Sequence, residues 1–235
     1  MCLAFNLLFT APTHATTPSQ THMLVLKCAN SESTTFLSRL AVLDIPQSKK
    51  MDFALVTGHA LPLERPCFVQ DFEGNQRDVD LIDYAKAFEV GTPNDWALIS
   101  FRKMKTKNLV RYPLSPITDY ISDFEAADIL FAEARGLPKN SQACRLLPTL
   151  PSFKKEQKRP LPIFHDCDAI PGQSGSPLTA RIEEQDYLVG LHIGRAWFFK
   201  SPYTGRADRH GYVALFDPNM VEEINTILST KVSRF

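Results

Sequence analysis

Short segments that alternate apolar and polar residues follow one another along the chain from about residue 23, and turn-forming residues separate many of them. Alternation with a period of two is typical of strands that bury one face, and almost no long helical periodicity lies between these segments. The pattern therefore predicts an all-β protein, built as a barrel or a sandwich. The predicted strands are residues 23–27, 34–43, 53–58, 96–101, 128–134, 177–182, 187–193 and 211–216.

One helix is predicted after the last of these strands, at residues 217–232. Asp217 suits an N-cap and Pro218 suits the first helical turn. The apolar residues at helical spacing are Val221, Ile224, Ile227 and Leu228. Residues 112–127, with two prolines and few candidates for a core, are the predicted linker. Residues 151–160 are predicted to form a solvated charged loop and not a binding patch.

The charges of the chain exclude some functions. Its 235 residues include 26 Lys and Arg against 26 Asp and Glu, so the formal net charge is zero. That balance excludes a large, uniformly basic surface for nucleic acid or for anionic lipid. Apolar residues make up 44% and charged residues 22%, which is typical of a globular protein. No apolar run approaches the ~18 residues that a membrane-spanning helix needs.

Residues 1–22 are predicted to be a secretory leader. An apolar stretch from Leu3 to Phe9 is followed by small and polar residues, with Thr13-His14-Ala15 as the candidate cleavage site. No Lys or Arg precedes the apolar stretch, so we expect the true start to lie upstream of Met1. The alternative is an apolar first strand.

Four cysteines remain once Cys2 is removed with the leader, and they allow three pairings. Two disulfides in an oxidising compartment are the favoured interpretation, and four buried thiols in a cytosolic protein are the alternative. No Cys-x-x-Cys pair occurs, and His165 among the cysteines is a poor zinc pattern, so no metal site is predicted. The four cysteines are Cys28, Cys67, Cys144 and Cys167.

The segment Pro171-Gly172-Gln173-Ser174-Gly175-Ser176-Pro177 is the clearest candidate for chemistry. Small residues around Ser174 predict a turn that exposes its hydroxyl and leaves nearby backbone N–H groups free. Acyl transfer needs such a nucleophile and two N–H donors aimed at the developing oxyanion, for which Gly172 and Ser174 are the natural pair. A tight turn without any catalytic role explains the same residues.

Two other residues have the chemistry that a reactive serine requires. His59 stands at the end of the apolar segment FALVTGHA, and Asp95 stands directly before the apolar segment WALI. Taken singly, a strand-end histidine and a turn aspartate explain both positions. The order His59, Asp95, Ser174 links the three residues, because an acid, a base and a nucleophile in combination are what acyl transfer uses.

These motifs resemble those of the trypsin/chymotrypsin-like serine peptidases. That family has histidine in a T-A-A-H-like context, aspartate in a D-x-A-L-I-like context and serine in G-x-S-G-[GS]-P, which are here TGHA, DWALI and GQSGSP. The resemblance covers roughly residues 24–230, since GYVALF followed by a helix also matches the family's ending. It implies two packed six-stranded antiparallel β-barrels, in residues 23–120 and 121–235, with the site between them.

The resemblance also implies a role for each residue. His59 would accept the Ser174 proton during attack on a peptide carbonyl and return it to the leaving amine, while Asp95 orients the imidazole and stabilises its cation. The implied activity is that of a serine endopeptidase acting on a protein or peptide substrate through an acyl-enzyme intermediate. No cofactor and no nucleic-acid partner is implied, and the expected location is secreted or periplasmic.

Within the family, the chain is most similar to the bacterial glutamyl-endopeptidase-like group, through GQSGSP and the strand Gly190-Leu191-His192-Ile193-Gly194. Gln173 replaces the aspartate that pairs with a freed N-terminal amine in trypsin-type enzymes, so trypsin-style zymogen activation is not expected. Gly58 replaces the usual alanine before the histidine.

The resemblance leaves the preferred substrate residue open. Asp168, six residues before Ser174, has the place of the carboxylate that selects Lys or Arg in trypsin-type pockets. His192 resembles the histidine that contacts an acidic side chain in glutamyl endopeptidases, whereas Ala169 lacks the pocket hydroxyl of that group. The disulfides implied by the resemblance are Cys28–Cys67 and Cys144–Cys167, each contributing about 2–4 kcal/mol.

Two alternatives compete with a peptidase. A catalytically silent homologue that binds or regulates would keep the fold without the chemistry. An α/β-hydrolase esterase needs its serine first, then the acid and then the histidine, with the serine between a strand and a helix. Here the serine comes last and precedes the strand-like PLTARI, which argues against that class.

Overall fold

The computed structural model describes most of the chain in separate ranges. They are residues 24–29, 36–61, 66–71, 73–106, 109–116, 129–131, 142–144, 146–147, 163–166, 172–182, 185–199, 201 and 208–232. The predicted leader and the predicted loop at 151–160 lie outside these residues. In the described residues no helix is long and apolar enough to cross a membrane.

Fifteen strands and one α-helix are assigned in the described residues, so the predicted all-β class with one helix after the last strand is confirmed. The helix α1 spans Pro218–Val232, and a 3-10 turn spans Gly58–Ala60. The strands are β1 (Val25–Cys28), β2 (Phe36–Arg39), β3 (Ala41–Val42), β4 (Met51–Val56), β5 (Cys67–Gln70), β6 (Gln76–Asp78), β7 (Asp80–Tyr84), β8 (Ala97–Arg102), β9 (Ile129–Phe131), β10 (Gln142–Cys144), β11 (Leu146–Leu147), β12 (Ile163–His165), β13 (Pro177–Ile182), β14 (Gln185–Phe198) and β15 (Asp208–Leu215).

The strands pair antiparallel in three sheets. Two have four strands, in the orders β2-β1-β5-β6 and β3-β4-β8-β7, and the third has seven, in the order β10-β9-β13-β14-β15-β12-β11. Each sheet is open at its edges in the described part of the chain, so closed six-stranded barrels are not seen there. The first half of the chain forms the two small sheets, and the second half forms the large one.

The two four-stranded sheets face each other across a shared core. Leu24, Leu26 and Val69 of the first sheet pack with Val56 and Ile99 of the second. Alternate residues of β4 point into this core because successive side chains of a strand lie on opposite faces. Cys28 and Cys67, which are opposite each other in the β1–β5 ladder, are joined by a disulfide with an S–S distance of 2.02 Å.

The opposite face of the β4–β8 sheet is also buried. Phe53 and Leu55 of β4 pack there with Trp96, with apolar residues of α1 and with Leu191 of β14. The helix begins where the sequence predicts, since the Met220 N–H donates to Asp217 Oδ1 at 2.8 Å. This second core joins the two halves of the chain. The α1 residues in it are Met220, Val221, Ile224 and Leu228.

The described part of the predicted linker packs against the core. Tyr112 and Leu114 contact the cluster that contains Phe53, and they form bridges to Leu43 and to Leu188. Burial, with a smaller contribution from Asp186, raises the pKa of Tyr112 to about 12. Residues 109–116 therefore cross between the halves as an integral strand-like segment, with Tyr112 and Leu114 partly buried against the core.

Candidate active site

The 3-10 turn after β4 and the loop before β8 bring His59 and Asp95 together. His59 Nδ1 lies 2.6 Å from Asp95 Oδ2, and the His59 backbone N–H donates to Asp95 Oδ1 at 2.9 Å. Asp95 is completely buried, whereas the His59 side chain is 24% exposed. The pair therefore has one face sealed in the protein and one face open for a reaction.

A third donor fixes the carboxylate. The Gly91 N–H donates to Asp95 Oδ2 at 2.8 Å, and Gly91 has a left-handed φ of 75°. Together with the two bonds from His59, this contact holds both carboxylate oxygens in one orientation. Sequence reasoning did not find Gly91. The only signal was a glycine in the turn VGTPND, which does not reveal where its N–H points.

The nucleophile candidate lies in a turn with two left-handed glycines. Gly172 has φ 90° and Gly175 has φ 82°, a region that side chains with a Cβ rarely adopt. The Gly175 N–H donates to the carbonyl of His192 at 2.8 Å, and the Ser176 N–H donates to the carbonyl of Gln173 at 2.9 Å. The first bond attaches the turn to β14, and the second closes the turn itself.

Strand β2 holds the same turn from the other side. The carbonyl of Ser174 accepts a hydrogen bond from the Arg39 N–H at 2.7 Å and another from Ser38 Oγ at 2.6 Å. A Cβ on Gly175 would lie 2.1 Å from the Arg39 carbonyl oxygen, so only glycine permits this approach. The turn therefore bridges the first half of the chain and the second.

The predicted oxyanion donors are unengaged. Neither the Gly172 N–H nor the Ser174 N–H donates to any group in the part of the chain that the structure describes. A Cβ on Gly172 would meet nothing within 4 Å, so the space beside this residue is open. Two free N–H groups beside an open space fit the chemistry of an oxyanion site.

The Ser174 hydroxyl does not contact His59. Its Oγ donates to the carbonyl of Ile193 at 3.1 Å, and no hydrogen bond joins it to His59 in the described residues. Ile193 lies at a shift in the β14–β15 register between His192 and Gly194. Such a bulge leaves a residue outside the regular pairing. The acid and base are therefore assembled as a pair, and the hydroxyl has a different partner.

His192, predicted to lie in the specificity pocket, is buried close to the base. His192 Nδ1 lies 2.9 Å from His165 Nε2, and the two rings pack edge to face. Burial, with contributions from His165, His59 and Arg195, holds the pKa of His192 well below its ordinary value. Burial, partly opposed by Asp166, lowers the pKa of His165 to about 4. Both imidazoles are therefore neutral at pH 7.

The structure explains the glycine before the histidine. A Cβ on Gly58 would lie 2.1 Å from the ring of Phe88. Phe88 also packs against Tyr84, with ring centroids 5.0 Å apart, while Tyr84 Oη donates to the Leu61 carbonyl at 3.1 Å. An aromatic ring therefore occupies the space that an alanine methyl would take.

Some of the other predicted residues lie outside the described part of the chain. Asp168, Ala169 and Cys167 lie outside the described residues, and of Cys144 only the backbone is described. Gln173 is only 2% exposed, so a neutral side chain is buried next to Ser174. No three His, Cys, Asp or Glu side chains are grouped to hold a metal in the ranges that the structure covers.

The arrangement contains the parts that acyl transfer requires. The described residues include an acid–base pair and a glycine-flanked serine turn with two unengaged N–H donors. No protein-family model matches the chain, and no curated protein matches it. The function of the site therefore rests on its own geometry.

Proposed function

We propose that the chain is a serine endopeptidase of the trypsin/chymotrypsin-like class. The observation that carries the proposal is the 2.6 Å contact between His59 Nδ1 and the fully buried Asp95 carboxylate. An imidazole held through Nδ1 presents Nε2 as a base. Strand β2 contacts the 3-10 turn that contains His59 and also bonds to the carbonyl of Ser174, which supports the same assignment.

The proposed reaction proceeds through an acyl-enzyme. Ser174 Oγ forms a bond to the peptide carbonyl carbon while its proton passes to His59 Nε2, and Asp95 stabilises the imidazolium. The oxyanion accepts hydrogen bonds from the N–H groups of Gly172 and Ser174. Collapse breaks the C–N bond, and the imidazolium gives its proton to the amine. Water then hydrolyses the ester by the same steps.

The proposed mechanism requires the Ser174 hydroxyl to change its partner. Ser174 Oγ, which donates to the carbonyl of Ile193, must turn toward His59. Staggered rotamers of serine interconvert easily, and catalytic hydrogen bonds often tighten only when substrate is bound. Bound peptide would favour the reactive rotamer by removing water from the site.

The proposal extends to the architecture and the location. In the proposed architecture, the two small sheets correspond to one six-stranded barrel and the large sheet corresponds to the other. The disulfide between Cys28 and Cys67 supports an oxidising compartment, so the proposed location is secreted or periplasmic.

A catalytically silent homologue is the second candidate, and one contact favours it. Ser174 Oγ donates to Ile193 and not to His59, so a protein that binds peptides without cleaving them would have the same geometry. The two candidates differ in the reactivity of one oxygen atom. Chemical modification of that atom therefore distinguishes them.

The test is labelling with a fluorophosphonate probe, followed by intact mass. The peptidase predicts one adduct per wild-type molecule and none in Ser174→Ala or His59→Ala. Ser176→Ala is the matched control, because Ser176 lies in the same turn and its buried Oγ has no hydrogen-bond partner in the described residues. It should label like the wild type. A folded wild-type protein that takes up no probe would establish the silent homologue instead.

A further inference from the structure

Arg39 has an unusual environment for a charged residue. It is 6% exposed, and its Nε is buried without a hydrogen-bond partner. No ion pair or hydrogen bond involves the guanidinium anywhere in the described residues. Burial alone lowers the pKa of this guanidinium from its ordinary value. Buried arginines are normally paired, because an isolated buried charge is costly.

The strand register shows which surface Arg39 faces. Arg39 is opposite Val25 in the ladder, whereas Leu26 is opposite Ser38 and Val69. Directly opposite residues share a face, and Leu26 and Val69 belong to the core between the two small sheets. Arg39 is therefore on the outer face of its sheet, away from that core.

The turn of Ser174 packs on Arg39. The Arg39 N–H donates to the Ser174 carbonyl, and the Arg39 carbonyl oxygen leaves no room for a Cβ on Gly175. The guanidinium is therefore within one side-chain length of the candidate nucleophile. Arg39 and His192 belong to different sheets, since Arg39 is on β2 and His192 is on β14.

The same face supplies no counter-charge close to Arg39. Asp78 of β6 shares the face, but it is exposed, two strands lie between β2 and β6, and no ion pair joins it to Arg39 in the described residues. Lys27 is half-buried on this face and forms no ion pair in the described part of the chain. The other β1 and β5 residues of the face are Val25, Phe68 and Gln70. An anion from outside the chain would complete the site.

We propose that Arg39 binds the carboxylate of an acidic residue of the peptide substrate, close to the bond that Ser174 attacks. The choice of a peptide as the ligand rests on the proposed function. A guanidinium suits this ligand because Nε and one terminal nitrogen form a fork that matches the two oxygens of a carboxylate. Arg39 is thus a specificity-determining residue that touches substrate at a position distinct from the His192 pocket.

The experiment measures binding without turnover. The probes are a neutral hexapeptide and six variants in which glutamate replaces glutamine at one position at a time. Each is titrated calorimetrically into Ser174→Ala protein, and into the same protein carrying Arg39→Gln, Arg39→Lys or Arg102→Gln. Arg102 is an exposed arginine at the end of β8 and is the matched control.

At one position, glutamate should bind Ser174→Ala protein about tenfold more tightly than glutamine does. Arg39→Gln should bring that ratio to about one, Arg39→Lys should keep part of it, and Arg102→Gln should leave it unchanged. A ratio near one at every position, or no binding up to about 5 mM peptide, overturns the inference. A preference for glutamate that persists in Arg39→Gln also overturns it.

Thermal unfolding separates recognition from a structural role. Removing an unpaired buried charge should leave the Tm of Arg39→Gln unchanged or raise it. A lowered Tm would indicate a partner within the folded chain and would contradict the proposal. The fluorophosphonate result is independent of this test. If the wild-type protein takes up no probe but glutamate-dependent binding is still observed, Arg39 remains a binding residue and only the proposed peptidase activity is rejected.

Discussion

The proposed base and the proposed nucleophile are held in opposite ways. For His59 and Asp95, hydrogen bonds fix the side chains themselves, with three donors on one buried carboxylate. For Ser174, hydrogen bonds from β2 fix the main chain, and the hydroxyl faces the Ile193 carbonyl. The His59–Asp95 pair is therefore already assembled. The turn of Ser174 is in place as well, whereas its hydroxyl bonds to a group other than His59.

The largest effect should come from disrupting the assembled pair. In Asp95→Asn, the amide can no longer accept from all the N–H groups that surround it, so the imidazole loses its orientation. We expect kcat to fall about 10⁴-fold while the fold is retained. Peptide hydrolysis at saturating substrate measures the loss, and near-ultraviolet circular dichroism checks the fold. A loss below about tenfold would mean that Asp95 has no catalytic role.

The turn of Ser174 should be sensitive to its main chain. In Gly175→Ala, a left-handed φ is combined with a clash between the new Cβ and the Arg39 carbonyl. In Gly172→Ala, φ is also left-handed, but nothing lies within 4 Å of the new Cβ. We expect the free energy of unfolding to fall by about 3 kcal/mol in the first variant and by about 1 kcal/mol in the second. Urea titration measures both. Equal losses would show that β2 does not hold the turn.

Acid should weaken the half of the chain that carries the nucleophile. The pKa of His165 is lowered from 6.5 to about 4, chiefly by burial, so the folded state binds fewer protons than the unfolded state between these values. The contribution of His165 to the free energy of unfolding is complete above pH 6.5 and decreases toward pH 4, by about 3 kcal/mol. His165→Phe should flatten this dependence in urea titrations from pH 7.5 to 4.5. An unchanged slope would exclude His165 as its source.

The smallest expected effect concerns the ring beside the base. Gly58→Ala should cost about 1 kcal/mol of stability, since the partly exposed Phe88 ring can move aside. In a Phe88→Ala background, the same substitution should cost nothing. A double-mutant cycle measures the coupling energy between the two positions. Additive effects of the two substitutions on stability would mean that Phe88 is not the reason why residue 58 is glycine.

The sequence predicted the strands whose apolar residues alternate. PLTARI matches β13 from end to end, and β4 and β8 lie within two residues of their predicted bounds. It missed β6 because Gln76–Asp78 is fully exposed and has no apolar face to signal a strand. It also ended β14 early, since residues 194–197 are half-buried or exposed and extend the strand by pairing with β15.

The candidate site was predictable in its residues but not in its contacts. Motifs place a histidine, an aspartate and a serine in order along the chain, and the His59–Asp95 contact agrees with them. The partner of the Ser174 hydroxyl depends on a register shift between β14 and β15, which no local pattern encodes. The lack of a hydrogen-bond or ion-pair partner for the Arg39 guanidinium in the described residues likewise depends on which residues surround it after folding.

The helix α1 has a consequence for the order in which the protein can mature. It seals the face of the β4–β8 sheet that contains Phe53 and Leu55, yet it follows β8 by more than a hundred residues. During synthesis, the elements that carry His59 and Asp95 emerge long before the segment that completes their core. A nascent chain can therefore complete the core behind the His59–Asp95 pair only after α1 has been synthesised.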